Sequence, residues 1–199
     1  MSPAVVSLAL AAIVLIAPPR DEPGLSSWSW EAVESLTGKL RGLSGGGGTG
    51  AEATPIVVTE QELNSLLNLG LPDGLPAGVS DVAIRFRQGR IEASALVDVE
   101  RVQGHVSSSS SWNPFALLSG QVPVAAAGQL ISDEGFASLQ MLEVSVGSVA
   151  VPLAVLEQLV AASTRTADRP EGFDIHAPFR LPFSLKRVRL QDGQASLEH

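Results

Sequence analysis

Serine and histidine are the residues of this chain that could form a nucleophilic catalytic site, but their spacing does not support one. The sequence has no G-x-S-x-G motif, and His105 and His176 lie on separate predicted loops with no motif that would orient a base toward a serine. These two histidines also lack the short spacing of metal ligands, and the chain has no cysteine. We therefore expect neither a hydrolase triad nor a metal site.

Carboxylate pairs are the other groups that could do chemistry, as a general acid and a general base. Asp98 and Glu100 share one face of a predicted strand, and Glu60 and Glu62 lie in the first turn of a predicted helix. Carboxylates in a first turn commonly stabilise the helix dipole, and those on a strand face are commonly solvated. The sequence thus predicts no catalytic residue, no cofactor and a protein that is not an enzyme.

A long predicted loop at residues 101–120 is the first candidate for contact with an apolar partner. In it a run of serines is followed by Trp112 and Phe115. Polar residues next to exposed aromatic side chains are typical of a membrane-contacting tip or of the mouth of a cavity. The alternative is that these side chains pack under the loop onto the core.

A local basic patch in an otherwise acidic chain is the second candidate. Its members are Arg180, Lys186, Arg187 and Arg189. Contact with anionic lipid headgroups would contribute about 1 kcal/mol for each charge near the surface. The alternative is that these residues form the solvated face or the protected edge of a strand.

The composition indicates a folded domain with attached segments and excludes a nucleic-acid partner. Of 199 residues, 45% are hydrophobic and only 17% are charged, so the chain can bury a core. The net charge of −8 argues against binding to a polyanion, which requires a basic surface. Without cysteines there are no disulfides, but a core of this size does not need them, so a location outside the cytoplasm stays open.

The N-terminal segment 1–20 differs from the rest of the chain. Residues 3–17 carry no charge, and the segment ends in Pro18, Pro19 and Arg20. This length suits the apolar part of a signal peptide and is shorter than the roughly 20 residues of a spanning helix. A basic region is missing, so an uncleaved anchor, a cleaved signal and a buried core helix all remain open. The first two predict a membrane-anchored or secreted protein of the cell envelope.

Residues 21–43 predict an amphipathic helix preceded by tryptophans. From Glu31 to Leu43 apolar residues recur at helical spacing, and Ser29 is a candidate cap. This helix either docks on the domain or lies in a membrane interface with Trp28 and Trp30 at headgroup level. The glycine-rich residues 44–54 predict a flexible linker. The last three residues, 197–199, resemble the start of a vector-encoded tag.

The folded domain is predicted at residues 55–196. Thr59 and Glu62 form a capping box at the start of a short apolar helix that ends near Gly70. The first hairpin has strict apolar alternation on both arms and a turn at residues 88–89. Two further hairpins are predicted with turns at residues 133–135 and 192–193. The first arm of the second hairpin is rich in alanine and glycine, so we expect another element to lie close against that strand. Between the second and third hairpins, Pro152 begins a helix that is apolar round most of its circumference. The pattern predicts an α+β fold in which a meander of similar hairpins packs around one or two helices.

Several of these motifs resemble a known group of proteins. The matching residues are Val58-Thr59-Glu60, Glu62-Leu63-Asn64, Val146-Gly147, Val151-Pro152, Leu181-Pro182-Phe183 and Asp192-Gly193. Over residues 55 to 196 the chain resembles the tubular lipid-binding (TULIP) superfamily of small bacterial envelope proteins and related membrane-anchored families. The chain is about half as long as the two-lobed members, and its serine-rich loop departs from their pattern.

The resemblance implies a highly curved antiparallel sheet wrapped around a helix, with an apolar groove that holds acyl or terpenoid chains. The residues expected to line the groove are Ile84, Phe86, Val97, Leu153, Leu156 and Val160. Trp112 and Phe115 would lie at its mouth, and a homodimer would complete the tunnel. These residues could equally pack dry, because close packing is the rule in protein cores.

Two functions therefore remain open from the sequence. The first is an extracytoplasmic, membrane-associated lipid-binding or lipid-transfer protein that carries no nucleic acid. The second is a structural or adaptor domain that uses the same sheet to join an envelope complex.

Overall fold

The computed structural model describes residues 28–44, 55–71, 75, 77–103, 119–163, 170–172 and 174–199. The helices are α1 (Trp30–Ser44), α2 (Glu60–Ser65, continued by a π-helical turn at Leu66–Gly70), α3 (Val99–Gln103) and α4 (Leu153–Ser163). The strands are β1 (Ile56–Thr59), β2 (Val79–Arg87), β3 (Arg90–Asp98), β4 (Gln121–Asp133), β5 (Phe136–Val146), β6 (Val149–Ala150), β7 (Phe179–Arg180), β8 (Arg187–Gln191) and β9 (Gln194–Glu198).

The strands form two antiparallel sheets, which confirms the predicted α+β class. The larger sheet has the order β2-β3-β4-β5-β6, and β7 also pairs with β5. The smaller sheet has the order β1-β9-β8. The sequence pattern predicts that the closing hairpin, β8–β9, extends the meander. In the structure it belongs to the smaller sheet instead, where β9 pairs with β8 on one side and with β1 on the other. Leu197 and Glu198, whose sequence resembles the start of a vector-encoded tag, lie within β9.

The predicted turns are confirmed and follow from local chemistry. The two residues of the β4–β5 turn both have positive φ, 47° at Glu134 and 86° at Gly135. This is the backbone of a type I′ hairpin turn, whose twist matches that of the flanking strands. Gly89 and Gly193 have φ values of 71° and 78° in the other two hairpins. Glycine fits these positions because it has no Cβ to oppose positive φ.

The alternating residues of the meander form one buried face. Ile84, Ala93, Ala126 and Val144 are successive cross-strand neighbours on four strands, and all four are buried. In β2 and β3 every second side chain is buried in this way, as the sequence pattern predicts.

The centre of β4 departs from simple alternation. Val124 to Gly128 is an unbroken run of buried residues, so the strand is covered on both faces there. A Cβ on Gly128 would lie 3.0 Å from the carbonyl oxygen of Gln140 in β5. The small side chains therefore allow close packing beside a bulge that lies between Ala127 and Gly128 in the pairing with β5. The prediction that something lies close against this strand is confirmed.

The outer edge of β2 is paired with side chains of α2 instead of another strand. The Asn64 carboxamide accepts from the Ile84 N–H (2.6 Å) and donates to the Ile84 carbonyl oxygen (2.9 Å). Asn68 makes the same two bonds to Val82, at 2.9 and 2.6 Å. Glu60 accepts from the N–H of Phe86 at 2.5 Å. Each asparagine therefore acts as a peptide group of a missing strand, because a carboxamide has both a donor and an acceptor.

The spacing of these three residues explains how a helix can pair with a strand. Four helical residues rise about 6 Å, and two strand residues rise about 6.6 Å. Residues four apart on α2 therefore meet residues two apart on β2, with the helix and the strand running in opposite directions. We call Glu60, Asn64 and Asn68 the side-chain ladder.

Helix α1 packs on α2 and belongs to the same folded body. Val33 and Leu36 are buried, and Leu36 is only 2% exposed. The predicted cap is confirmed, because the Ser29 hydroxyl accepts from the N–H of Ala32 at 3.2 Å. The Ser29 N–H itself donates to the hydroxyl of Ser65, a fully buried residue of α2.

Glu62 links the two helices and completes the predicted capping box. Its side chain accepts from the Thr59 N–H at 2.9 Å, and the Thr59 hydroxyl accepts from the Glu62 N–H at 3.2 Å. It also accepts from Ser35 and forms an ion pair with Lys39 at 2.6 Å. Burial raises the pKa of Glu62, but the bonds from Lys39, Ser35 and Thr59 outweigh burial and lower the pKa below its ordinary value.

Replacing Asn64 with alanine should test the side-chain ladder. The change leaves the N–H and carbonyl of buried Ile84 without partners, so we expect a loss of about 2–4 kcal/mol in the free energy of unfolding. Chemical denaturation measures the loss, and hydrogen exchange at the Ile84 amide should accelerate. Gln191→Ala removes an exposed side-chain bond to Gln194 and serves as the control. Equal effects of the two substitutions would contradict the proposed role of the ladder.

Acid should weaken the protein through Glu62. Because the folded-state pKa lies below the ordinary value of 4.5, the stabilisation is complete above pH 4.5 and is lost as the pH falls through the lowered pKa. Glu62→Gln should therefore be destabilised at pH 7, and the difference from the unmodified protein should shrink toward pH 3. Denaturation curves at both pH values measure this. Glu34→Gln is the control, since Glu34 is an exposed glutamate on α1. A pH-independent difference for Glu62→Gln would contradict the assignment.

Candidate functional site

Helix α4 is the element around which an apolar site could form. Pro152 precedes it, and its carbonyl accepts from the N–H of Val155 (2.9 Å) and of Leu156 (3.2 Å). Proline has no N–H, but an N–H at the start of a helix would have no intrahelical partner, so the proline removes no helical hydrogen bond. Of the α4 residues whose side chains the structure describes, only Leu156 is buried.

Leu156 lies in a cluster of strand residues that we call the α4 cluster. Its other buried members are Val97, Val99, Val122, Val124, Ala125, Ala126, Met141, Val144 and Val146. Around it pack the partly buried residues Val79, Leu139, Val151, Leu153, Val160 and Ile175. The cluster therefore has a fully buried centre and an apolar rim that retains contact with solvent.

The six residues expected to line one groove are divided between two clusters. Val97 and Leu156 are buried in the α4 cluster, and Leu153 and Val160 belong to its rim. Ile84 and Phe86 lie in a second cluster, with Leu67 of α2 and with Leu190 and Ala195 of the smaller sheet.

Ile84 and Phe86 therefore belong to a different buried cluster from the one that contains Leu156 of α4. Alternation correctly predicts that both side chains are buried, but it does not indicate which element covers them. The side-chain ladder holds α2 against β2, and Leu67 of α2 belongs to the same buried cluster as the two residues. Ile84 is fully buried and Phe86 is 4% exposed, so both belong to a packed core.

The basic patch is largely paired within the protein. Arg187 forms ion pairs with Asp133 (2.5 Å) and Glu198 (3.6 Å), and Arg189 pairs with Glu198 at 2.8 Å. The hydrogen bond with Arg187 lowers the pKa of Asp133, and the same bond raises the pKa of Arg187. These contacts favour the alternative in which the patch is the solvated face of a strand pair.

The two remaining basic residues of the patch are exposed. The guanidinium of Arg180 lies 5.7 Å from the centre of the Phe136 ring, a cation–π geometry, and Lys186 is exposed. Headgroup contact by all four predicted residues would therefore require two of them to leave carboxylate partners.

The aromatic residues predicted at a membrane or a cavity mouth are only partly described. Trp28 and Trp30 are 43% and 62% exposed at the start of α1. Trp112 and Phe115 lie outside the described residues, as does His105. His176 forms an exposed ion-pair contact with Glu157 of α4 at 2.8 Å.

The described residues were also searched for metal ligands and membrane spans. Among them no three histidine or carboxylate side chains come together as a metal site. Within the same ranges no helix has the length and apolar character needed to cross a bilayer. Asp98, one of the carboxylates considered for catalysis, pairs with Arg101 at 3.3 Å.

Sequence reasoning missed the structural role of Asn64 and Asn68, although the signal was present. Glu60, Asn64 and Asn68 recur every four residues on one helix face, which would otherwise be expected to be apolar. Polar residues on the face that packs against a sheet indicate bonding to a strand edge.

Comparison with known proteins does not place the chain in a family. No family model, no curated protein and no solved structure matches it.

Proposed function

We propose that this protein is a non-catalytic, membrane-associated lipid-binding or lipid-transfer protein of the cell envelope. The ligand is an apolar chain that lies along α4, against the rim of the α4 cluster. The architecture would be half of a TULIP-like tube, and a homodimer would complete it. Neither nucleic acid nor a cofactor takes part in this proposal.

The exposure pattern of α4 is the observation that carries the proposal. Leu153 and Val160 are apolar and only partly buried, although they pack against a cluster in which Val124 is fully buried. Val155 on the same helix is also only partly buried. A helix that presents apolar side chains on several faces is normally covered on those faces. An acyl chain would provide that cover and would gain about 0.8 kcal/mol for each buried methylene group.

One feature of the sequence supports a membrane location: the uncharged segment 3–17 suits an anchor or an export signal. The acidic charge of the chain argues only against a polyanionic partner. Arg187 and Arg189 are not included in the ligand site, because their charges are already paired with carboxylates.

A second candidate function is an adaptor in an envelope complex. It is favoured by the exposed apolar side chains Ile131, Phe136 and Leu142 on β4 and β5, each about half exposed. Exposed apolar side chains on neighbouring strands are typical of protein contact surfaces. The two functions differ in whether purified protein contains lipid.

Organic extraction of the purified chain, followed by mass spectrometry, should recover lipid in a fixed ratio to protein. Uptake of a fluorescent fatty acyl probe from phosphatidylcholine vesicles should accompany it. Val160→Trp fills the rim and should weaken uptake by about 1–2 kcal/mol, or roughly tenfold, by overpacking the site.

Val57→Trp is the matched control, since Val57 is an exposed valine of the smaller sheet. It should leave uptake unchanged. Absence of extractable lipid together with absence of probe uptake would refute the proposal and favour the adaptor function. Equal uptake by the two variants would place the ligand away from α4.

A further inference from the structure

Trp28 and Trp30 form an exposed aromatic pair at the start of α1. They are 43% and 62% exposed, whereas Val33 and Leu36 of the same helix are buried against the domain. Exposure of two large indole rings to water is unfavourable, because each ring carries 150–250 Å² of largely apolar surface. An indole has an apolar body and one N–H donor, which suits the interface between lipid headgroups and acyl chains.

The position of this pair is fixed by the residue between the two tryptophans. The N–H of Ser29 donates to the buried Ser65 hydroxyl of α2, and its own hydroxyl caps α1. Farther along the helix, Lys39 is bound to Glu62. The start of α1 is therefore bonded to α2 beside the tryptophans, and the helix is bonded to α2 again at Lys39, so the pair is held against the folded body.

The glycine-rich segment after α1 does not separate two bodies. The chain leaves α1 at Ser44 and enters β1 at Ile56, and Lys39 of α1 donates to the carbonyl oxygen of Val57 in β1 at 2.7 Å. Both ends of the segment therefore belong to one body. Of the two alternatives for the helix that precedes residues 44–54, docking on the domain is the one that these contacts show.

The segment that precedes the pair is short. Residues 18–27 separate the uncharged segment 3–17 from Trp28. A fully extended stretch of this length reaches at most about 35 Å. If the segment 3–17 lies in a bilayer, α1 begins close to the surface of that bilayer.

The charges next to the pair indicate which lipid surface it would meet. Glu31 and Glu34 are exposed on α1 beside Trp30, and the chain as a whole carries a charge of −8. Anionic headgroups would be repelled by these carboxylates. A zwitterionic surface offers the same interface without that repulsion.

We infer that the start of α1 is a membrane-docking surface, in which Trp28 and Trp30 enter the interface of a zwitterionic bilayer and α1 fixes the orientation of the whole domain. This inference rests on the membrane association of the proposed function but not on lipid uptake. It replaces a domain on a flexible tether with a domain held in one orientation.

The test uses the full chain with Trp112→Phe, so that only Trp28 and Trp30 fluoresce. On phosphatidylcholine vesicles their emission should shift to shorter wavelength, and lipids brominated near the headgroup should quench it. The control chain carries Trp28→Phe, Trp30→Phe and Trp112→Phe together with Val149→Trp. Val149 is exposed in β6, at the opposite end of the strand order from β2 and α2. Its tryptophan should be quenched several-fold less.

Two further measurements make the outcome decisive. Replacing both Trp28 and Trp30 with serine should weaken association with phosphatidylcholine vesicles at least about tenfold, because buried aromatic area is lost from the interface. Adding anionic phosphatidylglycerol should not strengthen the association.

Three results would overturn the inference. The first is that the chain floats with vesicles while Trp28 and Trp30 stay unquenched, and the second is equal quenching at Val149→Trp. The third is that the chain does not associate with vesicles at all. Lipid recovered by extraction in any of these cases would leave the lipid-binding part of the proposed function standing, so the two failures are distinguishable.

Discussion

The bonding of side-chain amides to the edge of β2 is the interaction on which the rest of the structure depends. Asn64 and Asn68 give the edge strand the donors and acceptors that a neighbouring strand would supply. They hold α2 in register with β2, and α2 in turn carries α1 through Ser65 and Glu62. An unsatisfied strand edge in a buried position would cost several kcal/mol, so this contact decides where both helices lie.

From this contact the division of the apolar core follows. With α2 fixed on β2, Leu67 covers Ile84 and Phe86 and makes that end of the meander a packed core. The other end is left to α4, of which only Leu156 is deeply inserted among the described side chains. The same apolar face of one sheet therefore serves stability at one end and offers a candidate ligand surface at the other.

Local features of this fold were predictable from the sequence, and non-local ones were not. The Thr59–Glu62 capping box and the turns at Gly89, Gly135 and Gly193 depend on residues within a few positions of one another. The pairing of Val57 with Ser196 depends on residues at opposite ends of the domain, and no local pattern specifies it.

The candidate site was predictable only in part for the same reason. Alternation identifies Phe86 and Val97 as inward-facing, but it carries no information about the helix that packs on each of them. The asparagines were overlooked because a polar residue on a short helix is commonly assigned to solvent. Their bonds to Val82 and Ile84 span 14 and 20 positions in the chain.

The side-chain ladder also limits how copies of this chain could assemble. With β2 occupied, the longest open edge of the larger sheet within the described ranges is on β5, where residues 138–143 pair with β4 on one side and lie between the pairings with β6 and β7 on the other. Two copies joined along that edge would each have used it, and no equivalent edge would remain for a third. Continuous growth through this edge is therefore blocked, and a closed pair is the largest assembly that this edge allows.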